Sequence, residues 1–175
     1  MSSVPSPAGC QDSRALDALT LRVEFVDPFV QAAFYVLEEV AKARCERGPL
    51  SMRQGSTFTS QELTVVVGVN GEIHGVVLYG LSVVTALKIA SAMVGQEFVS
   101  LDEMALSAIS ELGNMISGHA ATLLSEAGVH CDITPPTVIH GVGTEITVHI
   151  PVLLVPVSTD KGNINIDIAL CPANS

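Results

Sequence analysis

Residues 62–80 read ELTVVVGVNGEIHGVVLYG, and no other stretch constrains the fold as strongly. Apolar side chains alternate on both sides of Asn70-Gly71, a dipeptide that accepts the positive φ angles of a tight turn. The segment therefore reads as a β-hairpin with one face bound for a core. A hairpin needs a layer to cover that face, and the flanking sequence supplies helices. Asp27-Pro28 offers an N-cap followed by a first-turn proline, opening a helix through AFYVLEEVAKARCER that stops at Gly48-Pro49. After the hairpin, Ser82–Val94 reads as a helix with a serine cap, ended by Gly95. A third helix, the longest, runs from Leu101 to Ala127 and ends at Gly128.

The remainder is strand-like. CDIT stops at Pro135-Pro136, and TVIHG, TEITVHIPVLLVPV and NINIDIALC follow, with turns at Gly141–Gly143 and Asp160–Gly162. Pro151 and Pro156 cannot donate to a sheet ladder, so they belong at an edge, a bulge or a strand end. The order of elements predicts an α+β fold, with long helices packed on a mainly antiparallel β-sheet. Residues 1–18 are rich in Ser, Pro and Ala and read as a flexible N-terminal tail, leaving 19–175 as one domain.

Composition narrows the function. The interior must be aliphatic, because 48% of the 175 residues are hydrophobic but only 4% are aromatic. Mean hydropathy is +0.48, yet no run approaches the roughly 18 apolar residues that span a bilayer. The start, MSSVPSPAGCQDS, has neither the basic nor the apolar region of a secretory signal. A net charge of −10 with eight Lys and Arg argues against nucleic acid and against anionic membrane surfaces. Cys10, Cys45, Cys131 and Cys171 form no C-x-x-C pair, which points to reduced thiols in a cytoplasm and away from zinc.

The third helix carries the chemistry. At about 100° per residue, Ala105, Ile109, Leu112, Ile116, Ala120 and Leu123 form one apolar stripe that must face the sheet. Ser107, Glu111, Asn114 and Gly118 form a second line about half a turn away, so Glu111 and Asn114 point outward together. Met104 and Met115 flank that line with soft apolar surface suited to a partner. Gly113 falls beside the apolar stripe, where close packing explains it. Gly118 falls on the outward line, where a glycine suits close approach by another molecule, at about 0.5–1 kcal/mol of helix stability. Taken alone, Glu-x-x-Asn on an exposed helix is ordinary solvent-facing decoration.

Ser107-x3-Glu111-x2-Asn114, with Pro136 following Asn114 by 22 positions, resembles the signature of the CheC/CheX/FliY family, phosphatases of the chemotaxis response regulator CheY. TALKIASAMVG, residues 85–95, resembles the helix preceding that signature in CheX-type members. The order of elements agrees over residues 20–172. The resemblance implies that Asn114 orients a water against an aspartyl phosphate on the regulator, and that Glu111 docks on the regulator's pocket lysine. A neutral amide suits the first task, since it offers a donor and an acceptor without repelling phosphate. Ser107, Met115 and Gly118 would extend the partner contact, and Pro136 would shape a strand entrance. The chain would need no cofactor of its own, the Mg2+ belonging to the phosphorylated partner, and it would form a homodimer. The rival reading keeps the fold but makes the helix a non-catalytic module that recognises a response regulator or a flagellar-switch component.

Some family members carry the Glu/Asn pair on two helices. An offset of 73 aligns Glu24-Phe25-Val26 with Glu97-Phe98-Val99 and Glu38 with Glu111, but it sets Ala41 against Asn114. One site per chain is expected. His74, His119, His130, His140 and His149 show no ligand spacing. His119 reads as a boundary residue of the third helix, and His130-Cys131 would point to opposite faces of a strand.

Overall fold

The computed structural model describes residues 15–53 and 55–173. In chain order, helix α1 (Ala15–Ala41) precedes short strands β1 (Cys45–Arg47), β2 (Ser51–Met52) and β3 (Thr57–Thr59). The hairpin β4 (Leu63–Gly71) and β5 (Ile73–Leu81) leads to α2 (Val83–Val94) and α3 (Glu103–Glu126). Strands β6 (Cys131–Ile133), β7 (Thr137–His140), β8 (Glu145–Thr147), β9 (Leu153–Thr159) and β10 (Gly162–Pro172) complete the described chain. The main sheet is antiparallel, in the order β1-β9-β10-β5-β4-β6, with β2 also on β9 and β7 also on β4. A separate ribbon pairs β3 with β8.

The three helices cover one face of this sheet. Leu63, Val65, Val67 and Val69 of β4 alternate into the same core as Ile164, Ile166, Ile168 and Leu170 of β10. Each such buried aliphatic side chain contributes about 1.5–3 kcal/mol over its exposed state. On the opposite face, Asp167 is buried and takes a two-pronged ion pair from Arg53, whose guanidinium lies 4.2 Å from the ring centre of Phe58. Burial pushes the Asp167 carboxyl up from its ordinary range, against the opposing pull of Arg53.

Several boundaries differ from expectation. The Asp27-Pro28 pair does not start α1, because Pro28 lies inside it. Phe25 and Val26 ahead of the proline are buried on the same core as Phe29 and Val30, and that burial outweighs one lost backbone hydrogen bond. Asp27 instead pairs with Arg47 at 2.9 Å, tying α1 to β1. Residues 15–18 of the expected tail belong to α1, and residues 1–14 lie outside the described residues. The helix ends at Ala41 rather than at Gly48, because Lys42 turns left-handed (φ 51°) and the chain becomes β1. With 27 residues against 24, α1 rather than α3 is the longest helix.

The hairpin bends one to two residues late: Val69 pairs with Gly75, centring the turn on Glu72. Asn70 and Gly71 stay in β4 because β6 pairs with them, and Gly71 (φ 150°) admits the close backbone of His130 and Cys131. TEITVHIPVLLVPV is two strands in different sheets, parted by residues 148–152, which include Pro151. Pro156 sits in β9 opposite the gap between β1 and β2, where its carbonyl takes the Gly48 N–H at 2.7 Å. The expected turn at Asp160–Gly162 joins β9 to β10.

Candidate functional site on helix α3

Helix α3 is fixed at its start, beneath its middle and at its flank. Asp102 caps the N-terminus, its carboxylate accepting the Ala105 N–H at 2.8 Å. Ala105, Ile109, Leu112, Ile116 and Ala120 are buried against the sheet, as the stripe predicted. The last expected member, Leu123, is only partly buried, and Leu124 takes the core position. Gly113 explains how close the helix lies: a Cβ there would stand 2.6 Å from Val65 Cγ1 and 3.5 Å from Tyr79 Cδ2. Directly below, the Tyr79 hydroxyl and Ser117 Oγ share a buried hydrogen bond of 2.7 Å. Burial pushes the Tyr79 phenol well above its usual range, so it stays protonated throughout the pH range of a cell.

The opposite side of α3 is open. Ser107 and Glu111 are exposed, and Asn114 and Gly118 are half-buried. Neither the Glu111 carboxylate nor the Asn114 amide has a hydrogen-bond or ion-pair partner among the described residues. With a one-turn separation on a rigid helix, the acid and the amide present a fixed pair of unspent polar groups. Met104 is 53% exposed and flanks them as expected. Met115 does so only in part, since it also packs against the core. A Cβ on Gly118 would meet only Ile133 Cδ1, at an ordinary 3.8 Å, so internal packing does not require glycine there. Pro136 immediately precedes β7, at a strand entrance.

The offset of 73 holds for only part of the chain: Glu24-Phe25-Val26 lies within α1 but Glu97-Phe98-Val99 lies between α2 and α3, whereas residues 30–41 of α1 fall on residues 103–114 of α3. Glu38 is in the last turn of α1, and Ala41, standing where an Asn would be needed, is completely buried.

Sequence reasoning named neither the Tyr79–Ser117 bond nor the stacking of His119 on Tyr35 of α1, with ring centres 4.6 Å apart and planes 13° from parallel. A signal for the stack was present, because Ser107, Glu111, Met115 and His119 recur every four residues along one ridge. His130 Nδ1 lies 3.0 Å from Ser125 Oγ, apart from the Glu111–Asn114 pair. Among the described residues no helix is long and apolar enough to cross a membrane.

The family model for the chemotaxis phosphatase CheX matches residues 63–158, from β4 through α3 into β9. The chain belongs to the CheX family. A curated relative, the CheY-P phosphatase CheX of Thermotoga maritima, is 48% identical over 97 residues, covering 55% of this chain and 63% of that protein. The matched region thus spans somewhat less than two thirds of that relative's length. Among solved structures, the CheX chemotaxis protein from Desulfovibrio desulfuricans is 28% identical with a TM-score of 0.76, covering 85% of this chain and 99% of that one. The CheX in a CheX–CheY–BeF3–Mg2+ complex from Borrelia burgdorferi is also 28% identical, with a TM-score of 0.70 over 83% of this chain and 97% of that one. These CheX folds share the α+β architecture, and the candidate helix lies within the matched region.

Proposed function

We propose that this protein is a phosphatase of a CheY-like response regulator, with α3 as the element inserted at the phosphorylated site. The observation that carries the reading is the pair Glu111 and Asn114, projecting from one face of α3 with no partner among the described residues. Internal packing accounts for Gly113 but not for Gly118 or for the unpaired Asn114 amide on the open face.

The substrate is an aspartyl phosphate, an acyl phosphate that already hydrolyses unaided. Water attacks phosphorus, the bond from phosphorus to the acyl oxygen breaks, and the products are inorganic phosphate and the regulator's free aspartate. Loose phosphoryl-transfer transition states leave little covalent work to the protein, so positioning dominates. Asn114 holds the water in line by donating from its amide nitrogen or accepting at its oxygen. Its neutrality matters, because a carboxylate there would face the negative phosphoryl group. Glu111 pairs with the lysine of the regulator's pocket and sets the depth of insertion. The Mg2+ that neutralises phosphoryl charge belongs to the regulator. Ser107, Met115 and Gly118 line the contact, Gly118 leaving room for the regulator's backbone. Assembly as a homodimer in the cytoplasm is part of the same proposal.

The test mixes purified protein with phosphorylated regulator and follows phosphate release. Acceleration by the wild type that Asn114→Ala abolishes is the expected result. Tight binding without acceleration would establish the recognition module instead.

A further inference from the structure

The outward side of α3 does not end at Asn114. Continuing the four-residue ridge from Glu111 through Met115 leads to His119, two turns on and about 12 Å along the axis. There the His119 ring lies flat against Tyr35, a large aromatic side chain that is 54% exposed on α1. Neither the Tyr35 hydroxyl nor the His119 ring nitrogens have a hydrogen bond among the described residues. The stack thus spends one face of each ring and keeps its polar edges free. Glu38 and Glu39, three and four residues after Tyr35, are exposed on the same side of α1.

We infer that the Tyr35–His119 stack is a second anchor for the response regulator, one that takes a lysine or arginine side chain of the regulator beside Glu38 and Glu39. The inference rests on the proposed docking of the regulator on α3. Geometry makes the contact hard to avoid. A stable interface covers about 800 Å2 on each partner, a patch roughly 30 Å across. A regulator centred on Glu111 and Asn114 must therefore cover surface 12 Å away along the same ridge. What it meets there is an aromatic pair already locked in one conformation, so little side-chain entropy is lost on binding. Stacked aromatics rimmed by acids attract a cation both through the ring and through the carboxylates. A chain of net charge −10 draws a cationic patch of a partner toward such a site, which raises the association rate as well.

The experiment measures binding of a CheY-type response regulator, activated with beryllofluoride and Mg2+, to the full chain by titration calorimetry, alongside steady-state phosphate release. Tyr35→Ala and His119→Ala should each raise Kd and KM about tenfold, while kcat at saturating regulator changes less than twofold. Tyr35→Phe, which keeps the ring, should retain most of the affinity, and Glu38→Gln with Glu39→Gln should flatten the salt dependence of binding. Tyr35, Glu38 and Glu39 are exposed and His119 is half-buried, so thermal melting should fall by no more than a few degrees. Unaltered Kd in Tyr35→Ala would overturn the anchor even if Asn114→Ala abolishes hydrolysis, which leaves the phosphatase reading standing. Binding that is lost in Tyr35→Ala while the wild type shows no hydrolysis would keep the anchor and remove the phosphatase. A wild type that does not bind the regulator removes both. Should sedimentation show that Tyr35→Ala disrupts self-association and leaves regulator affinity intact, the patch contacts a second copy and the inference fails.

Discussion

Helices α1 and α3 pack side by side on one sheet, and each carries a glutamate followed three positions later by a residue of contrasting character. In α3 that residue is Asn114, in mid-helix, half-buried and facing outward. In α1 it is Ala41, the final helical residue, completely buried just before Lys42 turns the chain into β1. The difference teaches that an acid on an exposed helix presents a polar pair only where the backbone holds a second group beside it on the open face. Here that means a helix continuing well past the pair, which α3 does for twelve residues beyond Asn114 and α1 does not do beyond Ala41.

The comparison can be broken in several ways. The largest effect should come from Asn114→Ala, which removes the amide proposed to orient the water and should lower kcat about 10²–10³-fold. Asn114→Asp should be no better, since shape is kept but negative charge is added next to phosphate. Glu111→Ala should act on affinity: losing one partner of a buried intermolecular ion pair costs about 2–5 kcal/mol, or at least thirtyfold in Kd, read by calorimetry. Ala41→Asn completes the Glu-x-x-Asn pair on α1, yet it should confer no added phosphate release. It should instead destabilise the fold by about 1–3 kcal/mol in urea titration, because the new amide is buried.

The two glycines of α3 sharpen the contrast at smaller scale. Gly113→Ala forces a methyl into Val65 and should cost about 1–3 kcal/mol of stability. Gly118→Ala finds room inside the chain and should leave stability unchanged or raise it by up to about 1 kcal/mol, while weakening regulator binding. If Gly118→Ala leaves binding untouched, its place in the contact line is wrong.

What could be read from sequence follows the physics of each signal. The apolar stripe of α3 and the capping Ser82 and Gly95 of α2 are local patterns, and each recurs in the structure with small shifts. The alternation of β4 and β5 was equally legible. Its turn was misplaced because Asn70-Gly71 signals a bend only locally, and pairing with the distant β6 holds both residues extended. Asp27-Pro28 misled for the same kind of reason, since buried Phe25 and Val26 carry the helix through the proline. The division of residues 144–157 between two sheets depended on β3 and β10, partners remote in sequence. At the site, the outward line was readable from helical spacing. The Tyr79–Ser117 bond and the Tyr35–His119 stack join residues 38 and 84 positions apart; periodicity puts His119 on the ridge of Glu111 but does not name the partner on another element.

The most direct measurement is single-turnover decay of the phosphorylated regulator with this protein at saturating concentration, so that affinity drops out. The account predicts fast decay with wild type, decay within a few-fold of the regulator's own rate with Asn114→Ala, and near wild-type decay with Glu111→Ala once saturation is reached. Equal decay rates for wild type and Asn114→Ala would contradict it.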